Sequence, residues 1–148
     1  MNMTAHRLSI DNIERSARVI DSVFTGTPQY NCEPLSQALG ADMVLKVETL
    51  NPIRSFKGRG ADFFMSETRE AFRNQNLVCA TAGNFGQAMA YVCRSNNRPL
   101  IIYSATNANP LKIERMRSMG AEVRQMGDNF DAAKEHAKAF CAETGAHF

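Results

Sequence analysis

The sequence is short of several things, and each shortage removes a class of function. No apolar run approaches the roughly 18 residues of a bilayer span, and Met1–Arg7 lacks the apolar core of a secretory signal. Neither sign of charge dominates. Lys and Arg number 17 against 15 Asp and Glu, a net charge of +2, so the basic footprint of a nucleic-acid or anionic-membrane binder is missing. The four cysteines, Cys32, Cys79, Cys93 and Cys141, include no C-x-x-C pair, and His6, His136 and His147 are scattered and read as solvated, without partners at metal-ligand spacing. A structural zinc site needs close ligand pairs, and a small disulfide scaffold is far denser in cysteine. The expectation is therefore no metal, and reduced, mostly buried thiols in a cytoplasmic protein.

What remains is ordinary globular material. The 148 residues are 44% hydrophobic, 22% charged and 8% aromatic, close to the averages of soluble domains and unlike a disordered chain. That length holds one core, or one domain and part of another.

Ser9 is placed to cap a helix in which Ile10, Ile13, Ala17 and Ile20 recur at helical spacing, running to about Phe24. Gly26-Thr27-Pro28 breaks it. Leu35–Leu39 reads as a helical turn closed by Gly40, and Met43–Glu48 reads as a strand. After a second break at Asn51-Pro52-Ile53-Arg54, helical spacing resumes from Ser55 through Ala61, Phe64, Met65, Thr68 and Phe72.

A polar stretch, Arg73–Asn76, then precedes a regular unit. Strand Leu77–Thr81 leads to a helix with Phe85, Ala88, Met89 and Val92 inward. Strand Pro99–Tyr103 leads to a helix capped by Asn109, with Pro110 in its first position and Gly120 as its stop. Strand Ala121–Met126 leads to a helix capped by Asp128 or Asn129, carrying Phe130, Ala133, Ala137, Phe140 and Cys141 and ended by Gly145. Ala146–Phe148 opens a further strand. Strands alternating with helices predict an α/β fold, a parallel sheet and right-handed crossovers. Met116, Met119 and Met126 read as core filling, and Arg115 and Arg117 beside Lys112 as the wet face of one helix.

Two places break the bland pattern. In Ser55-Phe56-Lys57-Gly58-Arg59-Gly60 a lysine stands at a helix N-terminus, where the dipole is already positive. A lysine tolerates that position better when its amine is neutral or tied up as an imine; the alternative is a solvated surface lysine in a flexible turn. In Thr81-Ala82-Gly83-Asn84-Phe85-Gly86-Gln87 the end of a parallel strand meets a helix N-terminus, which reads either as a turn whose converging N–H groups bind an anion such as a carboxylate or as an ordinary strand-to-helix turn with an Asn cap.

Taken in order, these stretches resemble the fold-type II pyridoxal phosphate enzymes, most closely the threonine dehydratase and serine racemase branch. The matching residues are Thr27-Pro28, Leu35-Ser36 with Leu39-Gly40, Leu45-Lys46-Val47-Glu48-Thr49-Leu50, and Ser55-Phe56-Lys57 with Arg59-Gly60-Ala61. They continue through Ala82-Gly83-Asn84 with Gly86-Gln87, Asn109-Pro110 with Lys112, and Gly120-Ala121-Glu122-Val123.

The resemblance implies a three-layer α/β sandwich with a parallel sheet, the tryptophan synthase beta-like architecture. It would be incomplete here, with residues 1–72 as the start of a large domain and 73–148 as a small one. It implies pyridoxal 5'-phosphate as cofactor, Lys57 as the Schiff-base and proton-transfer residue, Phe56 beside the pyridine ring, and Asn84 on the cofactor's 3-oxygen. Ser55, Thr81, Ala82, Gly83, Asn84 and Phe85 would bind the substrate. The reaction implied is that of an ammonia-lyase, turning threonine- or serine-type hydroxyamino acids into 2-oxo acids and ammonia. A racemase or β-replacement enzyme of the same family, and a non-catalytic small-domain binding or assembly module, are the alternatives.

Two departures stand out: Arg54 where relatives often carry a small residue, and Phe85 where dehydratases often carry His. The nine glycines are dispersed and supply no glycine-rich loop for the cofactor phosphate. The expectation is a homo-oligomer, or a chain that needs the missing C-terminal half and has little activity alone.

Overall fold

The protein is described by a computed structural model covering residues 8–148, so Met1–Arg7, and with them His6, lie outside the described residues. Among those described, no helix is long and apolar enough to cross a membrane.

Helix α1 spans Ile10–Val19, and the Ser9 side chain accepts the Asn12 N–H at its start. It stops earlier than helical spacing predicts. Ile20 turns extended (ψ 134°), and Asp21 begins a separate short helix α2, Ser22–Thr25, by accepting the Val23 N–H at 2.9 Å. The Asp62 carboxylate also holds the Asp21 N–H at 2.7 Å. A side-chain acceptor offered to the backbone competes with helix propagation, and here it wins. The apolar stripe of α1 is not core, since Ile10 is 74% and Ile13 58% exposed.

Strand β1 (Gln29–Asn31) pairs antiparallel with β2 (Val44–Lys46) around the seven-residue helix α3, Glu33–Leu39, which Gly40 ends in the left-handed region at φ 65°. The three-residue β1 has no apolar alternation, so sequence reading missed it and recovered only its partner. A 3₁₀ turn at Glu48–Leu50 and an irregular loop lead into α4, Lys57–Thr68.

The rest follows the predicted rhythm. Strand β3 (Leu77–Ala80), helix α5 (Asn84–Ser95), strand β4 (Leu100–Ser104), helix α6 (Pro110–Ser118), strand β5 (Glu122–Gln125) and helix α7 (Phe130–Thr144) alternate along the chain. The strands form a parallel sheet in the order β3-β4-β5, with Val78 opposite Ile101 and Ile102 opposite Val123. Helices cover both faces, which makes three layers. On one face Phe24, Met65, Ala88, Val92, Ile102, Ile113 and Met116 form the larger core; on the other, Val78, Ile101 and Tyr103 pack on Ala137 of α7. The central strand β4 is buried throughout, as a strand covered on both faces must be. Asn109 and Asn129 cap α6 and α7 through their side chains.

Several expected positions differ. Phe85 and Phe130 stand 43% and 52% exposed, because each lies in the first turn of its helix, beyond the sheet's edge. Met126 lies just past β5 and is also exposed. His147 is not solvated: its ring stacks on Phe72 at 3.5 Å between centroids, and its backbone bridges in parallel to Leu77 on the outer edge of β3.

Candidate active site

Two helix N-termini define the site. Arg98, just past the end of α5, donates to the carbonyls of Arg69 and Phe72 at the end of α4. The C-terminal ends of these two 12-residue helices are therefore neighbours. The helices pack along each other and run the same way, so Lys57 and Asn84, the first residue of each, stand at the same end. Two positive dipole ends side by side make a place where anions are stabilised.

The backbone before Lys57 is held by a buried asparagine. The Asn51 Oδ1 accepts the N–H groups of Ile53 (3.1 Å) and Ser55 (3.2 Å), and its Nδ2 donates to the Ser55 carbonyl at 2.9 Å. Ser55, itself buried, accepts the Lys57 N–H through its hydroxyl at 3.3 Å. Gly58 is packed so closely on the buried Phe24 ring that a Cβ there would lie 2.3 Å from it. These contacts fix the start of α4 while Phe56 and Lys57 point outward, with the Lys57 Nζ 4.9 Å from the centroid of the Phe56 ring.

The second element is equally open. No side chain caps α5, and the place a Gly83 Cβ would take is empty to 4 Å. Thr81 is buried and its Oγ1 accepts the Gly83 N–H at 3.2 Å, shaping the turn. Ala82 and Gly83 are half-buried, and Asn84 and Phe85 are exposed. Gly86 is required by packing, since its Cβ would meet Thr81 Cγ2 at 2.6 Å and Met116 at 2.4 Å. Phe85 also lines an apolar cavity of about 410 Å³ along the outer edge of β3, with Phe64, Cys79, Phe130, His147 and Phe148.

Sequence reading placed Ser55, Phe56, Lys57 and Thr81–Phe85 in the site but overlooked what supports them. The Asn51 bonds form an Asx-type turn, which the Asn-Pro pair advertises. By sequence alone Arg115 belongs to the wet face of α6. Instead it is half-buried and donates to the Pro52 carbonyl at 2.6 Å, a contact no local pattern announces. Arg54 takes the left-handed conformation at φ 54°, the physical reason a small residue suits its position.

The donor set is an exposed primary amine beside an aromatic ring, with an uncapped helix N-terminus and a carboxamide at the same end. It fits an aldehyde-bearing aromatic group together with a carboxylate.

Known proteins agree with this chemistry. The family model described as "Pyridoxal-phosphate dependent enzyme" matches residues 20–148. The biosynthetic L-threonine dehydratase IlvA of Lactococcus lactis is 31% identical over 144 residues, covering 95% of this chain and 35% of that protein. The solved structure of processed threonine deaminase isoform 2 from Solanum lycopersicum superposes with a TM-score of 0.78 at 29% identity, covering 95% of this chain and 40% of that one. A pyridoxal 5'-phosphate-dependent aspartate racemase shares the fold, with a TM-score of 0.84 at 22% identity over 98% of this chain and 46% of its own. The chain thus has the fold-type II architecture that the sequence resemblance implied, and it spans about a third of the length of the curated relatives it matches. With a single family model running from Ile20 to Phe148 through both helix N-termini, the chain belongs to the pyridoxal-phosphate dependent enzymes.

Proposed function

We propose that this chain is the N-terminal portion of an ammonia-lyase that converts threonine- or serine-type hydroxyamino acids to 2-oxo acids and ammonia, with Lys57 as its catalytic residue. The carrying observation is that Lys57 and the uncapped N-terminus of α5 stand at the same end of two helices packed along each other. The L-threonine dehydratase relatives, at 31% and 35% identity, supply the reaction class.

When bound, the cofactor supplies an aldehyde for an amine and an electron sink for charge developing at the substrate's α-carbon. The chain supplies the rest. The Lys57 Nζ holds the cofactor and then takes the α-proton, for which it needs the outward placement that Asn51 and Ser55 give it. Phe56 offers a flat apolar surface beside that amine. The N–H groups at the start of α5 and the Asn84 carboxamide hold the carboxylate and the ring oxygen, while Thr81 keeps the turn in shape. Phe85, uncharged where relatives often carry His, stands in the first turn of α5 and lines the apolar cavity along β3.

Residues 1–72 form the lysine-bearing part and 73–148 the carboxylate-binding part. The phosphate cup comes from polypeptide outside these 148 residues, so activity belongs to the completed assembly.

The test is made on the completed protein, loaded with pyridoxal 5'-phosphate. It should absorb visibly above the protein band, release 2-oxo acid and ammonia from L-threonine or L-serine, and lose both properties in Lys57→Ala. Turnover that survives Lys57→Ala overturns the reading.

A further inference from the structure

The loop from Asn51 to Ser55 is strained, and its hold comes partly from far away in the sequence. Arg54 sits at φ 54°, a conformation in which the Cβ crowds the backbone. Such conformations persist only where the surroundings impose them. Three things do so here. The Asn51 side chain bonds the backbone at Ile53 and Ser55. The Ile53 side chain is sunk in the core at 1% exposure. The Arg115 guanidinium, reaching over from α6, donates to the Pro52 carbonyl at 2.6 Å.

The first two constraints are internal to the loop or apolar. Of the three, Arg115 alone is a polar donor reaching in from an element distant along the chain, and a planar guanidinium on a half-buried stem holds the loop's orientation with little freedom left. The geometry points to Arg115 as a positioning residue for Lys57. It clasps the strained turn from α6, so that Ser55 receives the Lys57 N–H and the lysine amine stays at the shared end of α4 and α5. This role rests on the assignment of Lys57 as the cofactor lysine. It links the unit that carries the anion-binding turn to the unit that carries the lysine through one contact that neither contains alone.

The probe is pyridoxal 5'-phosphate itself, applied to the completed protein and trapped with borohydride, with the adducts mapped by mass spectrometry. Lys138, on the exposed face of α7, serves as internal reference. In the parent chain Lys57 should be labelled faster than Lys138. In Arg115→Ala that ratio should fall about tenfold or more, the worth of one charge-assisted hydrogen bond, and Arg115→Lys should recover part of it. A loss of global stability alone would not move a ratio taken between two lysines of the same folded chain. Amide exchange at Ser55 and Lys57 should quicken in Arg115→Ala, while the amides of β4 stay protected. A ratio above one that Arg115→Ala leaves unchanged overturns the positioning role and spares the cofactor-lysine assignment. A parent ratio at or below one overturns that assignment and takes the positioning role with it.

Discussion

Arg59 and Glu48 form an ion pair that ties the first turn of α4 to the 3₁₀ turn before the Asn51 loop. The same guanidinium donates its Nε–H to the Phe24 carbonyl at 3.1 Å, and the second carboxylate oxygen of Glu48 accepts from Asn51 Nδ2 at 3.1 Å. The pair is therefore a joint between α2, α4 and the loop that leads into Lys57, with Arg59 in the S-F-K-x-R-G stretch and Glu48 in the 3₁₀ turn upstream.

Arg59→Ala should destabilise the chain by about 1–2 kcal/mol. Removing one partner of a fully buried pair costs roughly 3–5 kcal/mol. Here a third of the Arg59 side chain and 18% of that of Glu48 remain in water, which lowers the figure. The midpoint of urea unfolding should move down with an unchanged slope. A midpoint indistinguishable from that of the parent would mark the pair as a surface contact.

Two glycines two residues apart, on different faces of α4, should respond oppositely to alanine. At Gly58 the new methyl meets the Phe24 ring, which is 1% exposed and packed edge-on against Tyr91 with 5.4 Å between ring centroids, so it has nowhere to go. Gly58→Ala should cost about 3 kcal/mol, at the upper end for overpacking a core. At Gly60 the place of the Cβ is empty to 4 Å. Gly60→Ala should stabilise α4 by roughly 0.5–1 kcal/mol through helix propensity alone. Thermal unfolding of the two variants checks the pair of signs, and equal shifts would contradict the packing of α4 on Phe24.

Stability should decline in alkali through two thiols. Burial pushes Cys79 and Cys93 up to about 12 from the ordinary 9.0. The folded state keeps these protons while the unfolded chain releases them above the ordinary value, so the unfolded state binds fewer protons and stability falls as pH rises. The loss should begin near pH 9 and continue towards pH 12 at about 1.4 kcal/mol per pH unit for each thiol. Urea midpoints measured between pH 8 and 11 test this, and Cys79→Ala with Cys93→Ala should flatten the decline. A parent profile as flat as that of the double variant would place these thiols in contact with water.

Much of the fold is written in short-range signals. Ser9, Asn109 and Asn129 cap helices, Gly40 and Gly145 end them with positive φ, and the alternation of apolar strands with amphipathic helices from Leu77 onward gives the parallel sheet. Such features depend on residues within one turn or one strand of each other, so they can be read without knowing what lies opposite. The S-F-K-x-R-G stretch and the strand-to-helix turn at Gly83-Asn84, on which the proposed site rests, stand out in the sequence for the same reason, as compact motifs. What packing alone settled involves partners distant along the chain. The clasp of Arg115 on Pro52, the stacking of His147 on Phe72, the β1–β2 pairing and the parallel run of α4 beside α5 are of this kind. In each, the deciding quantity is a distance across space between segments whose local patterns are silent about one another, and it acquires a value only once the core has closed.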